Sequence, residues 1–264
     1  ARVQESSPIL NISNGKVLVH TEQFDNGVVA FPLKKELPEE LEYTYLFKVD
    51  DREYFLWNEE LSEDSIPEGY SYVEERSIRK ESKGPCEEVF AATTAKHLSD
   101  WYRDACFCGR CGTKMVPHDK ERAMSCPSCG YIAYPRIMPA VIVGVKNGDK
   151  LLLTKYRTGF AHNALIAGFT EIGETAEETV MREVMEEAGI KVKNIHYYKS
   201  QPWGTANDLL LGFYCEVDGD DTITMDRHEL KYAEWVQREE IVLQPGNFSL
   251  TNEMMRRFKE GYEV

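Results

Sequence analysis

The stretch from Gly168 to Ile190, GFTEIGETAEETVMREVMEEAGI, constrains the fold most, because it specifies one helix with both of its ends marked. Thr175, followed three residues later by Glu178, is a capping-box signature for a helix start. Gly189 stands where a left-handed residue ends many helices. We therefore predict a strand end, a Gly-rich loop and then a helix that stops at Gly189.

Three glutamates of this helix share one face. Glu183, Glu186 and Glu187 are spaced i, i+3 and i+4, which places their side chains close together. Like charges at this spacing destabilise a helix by roughly a few tenths of a kcal/mol, and a bound cation removes that repulsion. Oxygen ligands suit Mg2+ or Mn2+. The alternative interpretation is a solvated acidic face in an acidic protein.

The spacing of the glycine, glutamate, arginine and aliphatic residues in this stretch resembles the Nudix box. That pattern is G-x5-E-x7-R-E-U-x-E-E-x-G-U, where U is a bulky aliphatic residue, and every specified position is filled between Gly168 and Ile190. The resemblance implies an α/β/α sandwich with a mixed sheet, which hydrolyses a diphosphate linked to another group and uses divalent cations. We therefore expect an enzyme rather than a solvated acidic helix.

Two pairs of cysteines have zinc-site spacing. Cys108 and Cys111 form one C-x2-C pair, and Cys126 and Cys129 form the second. Four thiolates give the tetrahedral ligation of a structural Zn2+, and a full coordination sphere leaves no position for a reacting water. We therefore predict that the zinc stabilises the fold. A zinc ribbon that binds nucleic acid remains the alternative.

Composition and net charge limit the class of protein to which this chain can belong. The chain has 264 residues with a formal net charge of -14, and seven cysteines of which four have zinc spacing. That charge disfavours free nucleic acid as a ligand. The sequence shows no apolar run near the length of a membrane span and no signal peptide at its start. We expect a soluble protein of the reducing cytoplasm, with no membrane partner.

Hydrophobic periodicity, the cysteine spacing and the resemblance to the Nudix box together predict an α+β protein in three parts. The predicted parts are a β-rich N-terminal domain over residues 1–103 that ends in a helix, a zinc ribbon over 104–133 and a Nudix hydrolase domain over 134–264. The predicted strands of the first part are Lys16–His20, Gly27–Phe31, Tyr43–Val49 and Glu53–Trp57. Its helix covers Cys86 to about Asp104, with Phe90, Leu98 and Trp101 on a buried stripe.

A zinc ribbon directly before a Nudix domain, with Ser200-Gln-Pro-Trp203 shortly after the box, resembles the NADH pyrophosphatase family. The resemblance covers about residues 77–250. It implies cleavage of NAD(H) into nicotinamide mononucleotide and AMP, and bacterial members of the family also remove NAD caps from RNA. It also implies a zinc-containing homodimer.

The family's functional residues carry over by position. The resemblance implies that Glu183, Glu187, Glu229 and the carbonyl of Ala167 hold Mg2+ or Mn2+, and that Glu186 supports this cluster. A water polarised by the cations and deprotonated by a carboxylate would attack phosphorus, and loss of Glu187 is expected to be the most damaging. Arg182 is expected to buttress the carboxylates. The implied substrate-binding residues are Arg79, Glu121, Tyr134, Phe169, Gln201, Trp203, Asp208 and Ser249.

One loop departs from the family pattern. The family motif is S-Q-P-W-P-F-P-x-S, whereas this chain has SQPWGTAND over Ser200–Asp208. The loss of one stacked ring removes on the order of 1 kcal/mol of binding, which shifts the preference among dinucleotides without abolishing hydrolysis. Another nucleoside diphosphate, such as ADP-ribose or a dinucleoside polyphosphate, is therefore an alternative substrate. A nucleotide-sensing protein is the alternative of another class.

Overall fold

The computed structural model describes residues 2–81, 84–158, 162–246 and 248–262. The chain divides into two compact units. The first contains Ala1–Arg136 together with Trp203–Asn207, and the second contains Ile137–Pro202 and Asp208–Val264. The sequence-based boundaries at 103/104 and 133/134 remain predictions.

The first unit is built around a five-stranded sheet in the order β3-β4-β1-β2-β5. Its central strands are buried on both faces, because consecutive residues over 9–12, 17–19 and 54–56 are all buried. Ile9, Leu18 and Phe55 belong to the core cluster on one of these faces. The elements are β1 (Ile9–Ser13), β2 (Lys16–His20), α1 (Thr21–Asp25), β3 (Thr44–Val49), β4 (Arg52–Trp57), β5 (Tyr70–Glu74), α2 (Glu75–Glu81) and α3 (Cys86–Asp104). A separate three-stranded sheet carries the cysteine pairs and consists of β6 (Val116–Pro117), β7 (Met124–Ser125) and β8 (Ile132–Ala133).

Two predictions for the first unit are wrong. The segment Gly27–Phe31 is not a strand, because Val28 makes an isolated bridge and the backbone otherwise forms single hydrogen bonds beside β2. The buried stripe of α3 does not include Phe90, which is 46% exposed. Alanines of α3 are buried instead, since Ala91, Ala92 and Ala95 have no exposed surface, and small side chains let the helix approach the sheet closely.

The second unit is a six-stranded mixed sheet with one helix on each face. The order is β12-β13-β9-β10-β14, and β11 pairs with β9. Most pairs are antiparallel, whereas β13 and β9 run parallel. The elements are β9 (Met138–Asn147), β10 (Lys150–Tyr156), β11 (Ile166–Phe169), α4 (Ala176–Ala188), β12 (Val192–Trp203), β13 (Asp208–Val217), β14 (Leu230–Gln237) and α5 (Leu250–Lys259).

Alternation along β9 assigns the two helices to opposite faces of this sheet. Val141 and Val143 pack in one core cluster with Val184 of α4. The intervening residue Gly144 contacts Tyr214, whose hydroxyl donates to the carbonyl of Met254 on α5 at 2.7 Å. Successive strand residues point to opposite faces. The α+β class and the α/β/α arrangement expected from the sequence are confirmed.

The helix α4 begins and ends where the sequence predicts. The Oγ1 atom of Thr175 accepts a hydrogen bond from the Glu178 N–H at 3.2 Å, and Glu178 Oε2 accepts one from the Thr175 N–H at 2.8 Å. Gly189 ends the helix with φ of 70° and donates its N–H to Met185 O. A Cβ atom at Gly189 would lie 2.8 Å from the Cβ atom of Thr224, so this position requires glycine for two reasons.

No helix of the described residues combines the length and the apolar character needed to cross a membrane.

Replacing Gly189 with Ala is expected to lower the free energy of unfolding by about 2–4 kcal/mol, because the left-handed conformation costs about 1–2 kcal/mol and overlap with Thr224 adds to it. Gly148→Ala is the matched control, since Gly148 also has a positive φ of 60° but nothing lies within 4 Å of its Cβ position. It should lose only about 1–2 kcal/mol. Denaturant unfolding measures both variants, and equal losses would contradict the role of Thr224.

Candidate active site

The carboxylates of α4 differ in how far they are buried. Glu187 is only 2% exposed. The Glu183 side chain is 13% exposed and that of Glu186 is 60% exposed. The face that the sequence predicts therefore runs from the core to the surface, because Glu187 lies on the side of α4 that packs on the sheet. An ionised carboxylate at such a depth requires compensating partners.

Glu187 is incompletely compensated by the protein itself. Its Oε1 atom accepts a hydrogen bond from the Tyr156 hydroxyl at 3.4 Å, whereas its Oε2 atom is buried without a hydrogen-bond partner. Burial, with the nearby Glu183 carboxylate, raises the pKa of Glu187 to about 8, and a backbone hydrogen bond from Ala167 partly opposes that rise. Burial also raises the pKa of Glu183. An orphaned carboxylate oxygen beside a second carboxylate suits a divalent cation with oxygen ligands.

Gly168 explains why the first position of the box must lack a side chain. This residue lies on β11, beside Val141 of β9, and faces α4. A Cβ atom there would lie 1.9 Å from the Glu183 Cδ atom and 2.0 Å from its Oε1 atom. The Glu183 carboxylate therefore lies directly against the backbone of β11, a position that any larger residue at 168 would block.

Arg182 connects the loop, the strand end and the helix carboxylates. It donates to both carboxylate oxygens of Glu174 at 2.5 and 2.9 Å. It also donates to Glu183 at 2.7 Å, to Glu186 at 3.0 Å and to the carbonyl of Phe169 at 2.8 Å. Hydrogen bonds from Arg182 lower the pKa of Glu174 to about 2. Arg182 thus has the buttressing position that we expected for it.

Glu229 lies in a turn anchored on two sides. The N–H of Asp226 donates to the carbonyl of Glu187 at 3.0 Å, and the N–H of Arg157 donates to the carbonyl of Glu229 at 3.0 Å. These bonds attach the turn to α4 and to the end of β10. The Glu229 charge contributes to the raised pKa of both Glu187 and Glu183, so its carboxylate is within electrostatic reach of them.

The three carboxylates are neighbours but do not form a tight cluster. Among the described residues, the four cysteines are the group of possible metal ligands in which all ligand atoms lie within 4.8 Å of one another. The carboxylate oxygens of Glu183, Glu187 and Glu229 do not form such a group. Their oxygen-only donor set, with the Ala167 backbone beside Glu187, still fits Mg2+ or Mn2+ better than a softer metal.

The four cysteines of the first unit have the geometry of a zinc site. The Sγ atoms of Cys108 and Cys129 are 3.6 Å apart, and those of Cys111 and Cys126 are 3.5 Å apart. Tetrahedral ligation at a Zn–S distance of about 2.3 Å requires sulfur separations of roughly 3.8 Å, so the four residues fit Zn2+.

The two cysteine pairs share one backbone geometry. The N–H of Gly112 donates to the carbonyl of Cys108 at 2.8 Å, and that of Gly130 donates to the carbonyl of Cys126 at 3.0 Å. Gly112 and Gly130 close the two turns with the same φ of 73°.

The predicted substrate residues of the first unit form two pairs. The guanidinium of Arg79 lies over the ring of Trp203, 4.5 Å from its centroid. The Tyr134 hydroxyl donates to Glu121 Oε2 at 2.7 Å, while the Tyr134 ring is 54% exposed. A guanidinium on one face of an indole and an exposed phenol ring are both suited to stacking with a base.

The predicted substrate residues of the second unit have mixed environments. Phe169 is half exposed at the end of β11, and Asp208 is buried with an unpartnered Oδ1 atom. Burial raises the pKa of Asp208 to about 6. Gln201 donates to Phe248 O and accepts from Leu250 N, so its amide holds the start of α5.

Ser249 has a structural role as the N-cap of α5. Its Oγ atom accepts a hydrogen bond from the Asn252 N–H at 3.0 Å. The same hydroxyl donates to Gln244 Oε1 at 3.0 Å. The donor of the hydroxyl and one of its two acceptor lone pairs are therefore engaged within the protein, so a substrate group that accepts a hydrogen bond from Ser249 would compete with Gln244.

Tyr156 is the member of the site that the sequence analysis missed. Its side chain lies between α4 and the Glu229 turn, and burial with the charges of Glu187, Glu229 and Glu183 raises its pKa. The available signal was the period-two alternation of β10, which places Tyr156 on the same face as the core residue Leu152.

A mixed α/β/α sandwich with this glycine, arginine and glutamate arrangement, in a chain that also contains a four-cysteine zinc module, is typical of a Nudix-type hydrolase fold with a zinc ribbon. Comparison with protein families agrees. Residues 136–258 match the NUDIX domain family, and residues 103–134 match the NADH pyrophosphatase zinc ribbon domain. The chain therefore contains a NUDIX domain and an NADH pyrophosphatase zinc ribbon domain over these residues.

Similar proteins include curated relatives and solved structures. NAD-capped RNA hydrolase NudC of Shigella flexneri is 44% identical over 151 residues, which are 56% of this chain and 58% of the relative. The protein of the same name from Escherichia coli O9:H4 (strain HS) is 43% identical over the same share. This chain therefore matches less than two thirds of these relatives' length. A NUDIX hydrolase structure from Nitrosomonas europaea has 22% identity and a TM-score of 0.52, covering 60% of this chain and 94% of that one, which supports the fold.

Replacing Cys126 with Ser is expected to remove zinc from the protein, because three thiolates and a hydroxyl bind Zn2+ far more weakly than four thiolates. Elemental analysis should find about one zinc per parent chain and almost none in the variant. The matched control is Cys106→Ser, since Cys106 is exposed and its thiol donates to Tyr102 O instead of joining the cluster. Zinc retained by Cys126→Ser would contradict the assignment.

Proposed function

We propose that this chain hydrolyses the diphosphate of NAD(H) to nicotinamide mononucleotide and AMP, in a reaction that requires Mg2+ or Mn2+. The observation that carries the proposal is the buried Glu187 carboxylate, whose Oε2 atom has no partner although Glu183 lies beside it. A site of this kind is stabilised by a divalent cation, which in turn binds diphosphate oxygens. The NADH pyrophosphatase zinc ribbon and the NudC relatives support NAD(H) as the dinucleotide.

Each carboxylate has a proposed part in the reaction. Glu183, Glu187, Glu229 and the Ala167 carbonyl are the proposed ligands of the cations, which supply positive charge to the diphosphate and acidify water. Glu186 is exposed and paired with Arg182, so we propose that it supports the cluster and moves protons. Arg182 keeps Glu183 and Glu186 oriented.

Substrate contacts remain proposals that rest on the family resemblance. In the first unit, we assign them to Arg79, Glu121, Tyr134 and Trp203. In the second unit, we assign them to Phe169, Gln201, Asp208 and Ser249. The exposed rings of Phe169 and Tyr134 are suited to stacking on the nicotinamide ring. Gln201 and Ser249 already hold the start of α5, so their proposed contribution is to shape the site.

We also propose removal of NAD caps from RNA, because the relatives are named NAD-capped RNA hydrolases. The bond cleaved is the same diphosphate, so no further catalytic group is needed. The net charge of -14 predicts weak affinity for the RNA body. Recognition would therefore rest on the NAD end.

Two other functions compete with NAD(H) hydrolysis. Another nucleoside diphosphate, such as ADP-ribose, is favoured by the Gly204–Asp208 segment, which lacks the aromatic residue of the family motif. A nucleotide-sensing protein is disfavoured, because the box carboxylates are all present and Glu187 is buried in a position that a cation would stabilise.

The substrate assay separates these functions. Protein and Mg2+ are incubated with NADH, NAD, ADP-ribose, diadenosine polyphosphates and NAD-capped RNA, and products are identified by chromatography. We expect AMP and reduced nicotinamide mononucleotide from NADH. Much faster cleavage of ADP-ribose would favour the alternative hydrolase, and no cleavage of any substrate would favour a sensor.

Glu187→Gln is expected to lower the rate of NADH hydrolysis by about three orders of magnitude or more, because an amide cannot replace the charge that holds the cation. The matched control is Glu177→Gln on the same helix, since Glu177 is exposed in its first turn and should retain near-parental turnover. Steady-state rates with both metals measure the difference. Near-parental turnover of Glu187→Gln would contradict the proposed role of Glu187.

Finally, we propose that the protein is a cytoplasmic homodimer, as the family resemblance implies. Light scattering at assay concentration measures the mass, and a value near the 30.3 kDa of one chain would contradict a dimer.

A further inference from the structure

We infer that Tyr156 is a positioning residue that holds the Glu187 carboxylate in its metal-binding orientation through the hydrogen bond from its hydroxyl. This inference rests on the proposed function. The donor and acceptor atoms, Tyr156 Oη and Glu187 Oε1, are 3.4 Å apart. The hydroxyl therefore reaches the carboxylate from the sheet, opposite the helix that bears it.

Strand geometry places the phenol at this point. Tyr156 is the last residue of β10, and alternation puts Leu152, Thr154 and Tyr156 on the face that packs against α4. Leu152 and Thr154 are buried with 1% and 0% exposure. The side chains of Leu152 and Thr154 fill the core, whereas the side chain of Tyr156 extends past it to the Glu187 carboxylate.

An irregularity in the sheet brings the Glu229 turn to the same phenol. Pairing of β10 with β14 shifts between Lys155 and Tyr156, so that Leu230 instead of Lys231 lies opposite Tyr156. A bulge of this kind re-aims side chains and is common beside active sites. The next backbone bond, from Arg157 N to Glu229 O, then fixes the turn that carries Glu229.

The partner of the Glu187 carboxylate is a neutral hydroxyl and not a cationic side chain. Arg182 forms ion pairs with Glu174, Glu183 and Glu186, but within the described part of the chain no Lys or Arg pairs with Glu187. A cation there would compete with a bound metal ion, whereas a neutral hydroxyl orients the carboxylate and leaves its charge available. Residues that orient metal ligands through hydrogen bonds commonly affect metal affinity about tenfold or more.

The test compares Tyr156→Phe with Tyr214→Phe. Each variant loses one hydroxyl hydrogen bond, but that of Tyr214 goes to Met254 O on the α5 face. Mn2+ binding to the protein alone is measured by electron paramagnetic resonance of the free ion. The Mn2+ concentration for half-maximal NADH hydrolysis is measured separately, and thermal unfolding reports the cost of losing each hydroxyl.

We expect Tyr156→Phe to weaken Mn2+ binding about five- to tenfold and to raise the half-maximal Mn2+ concentration by the same factor. Its rate at saturating Mn2+ should remain within about threefold of the parent, and Tyr214→Phe should bind Mn2+ normally. Unchanged Mn2+ affinity in Tyr156→Phe, or an equal loss in Tyr214→Phe, would overturn the inference while the proposed function stands. A parent chain that binds no Mn2+ would overturn both.

Discussion

The site depends on how Arg182 distributes its hydrogen bonds. Glutamates at 174, 183, 186 and 187 share this region of the sequence with a single arginine, Arg182. Arg182 pairs with the first three and leaves Glu187, the most deeply buried of them. Glu183 pairs with the charge of Arg182, whereas Glu187 receives only neutral hydrogen bonds from Tyr156 and the Ala167 backbone. The electrostatic cost of burial is therefore concentrated on Glu187. That concentration gives an external divalent cation a large gain from binding there.

The end of α4 controls where the remaining ligand candidate lies. Gly189 turns the chain sharply, and the N–H groups of Thr224 and Asp226 then donate to the carbonyls of Ala188 and Glu187. These bonds satisfy carbonyls that every helix leaves unpaired at its C-terminus. The same bonds start the segment that reaches Glu229 a few residues later. The helix cap and the position of Glu229 are thus one structural feature, and a change at Gly189 affects both stability and the site.

Local features were predictable from the sequence, whereas long-range pairings were not. The capping box at Thr175, the left-handed Gly189 and the cysteine spacing depend on neighbouring residues alone, so their patterns specify them. Tyr156 belongs to the site only because β10 pairs with β14, a strand that the sequence analysis did not predict. The exposure of Phe90 likewise depends on which face of α3 meets the sheet. Ser249, assigned to substrate by resemblance, caps α5, a role that periodicity alone did not reveal.

The departure at Gly204 is consistent with the packing around it in the first unit. A Cβ atom at Gly204 would lie 2.5 Å from the carbonyl oxygen of Thr93, so the proline of the family motif does not fit without movement of that backbone. The next residue, Thr205, donates to the buried carboxylate of Glu75, a bond that phenylalanine cannot make. Close packing of Gly204 on Thr93 of α3 and the hydrogen bond from Thr205 to Glu75 of α2 hold the loop instead of an aromatic anchor. Trp203, which keeps its family identity, then lies against Arg79. The altered loop is therefore packed on the first unit by contacts that the proline and phenylalanine of the family motif could not make.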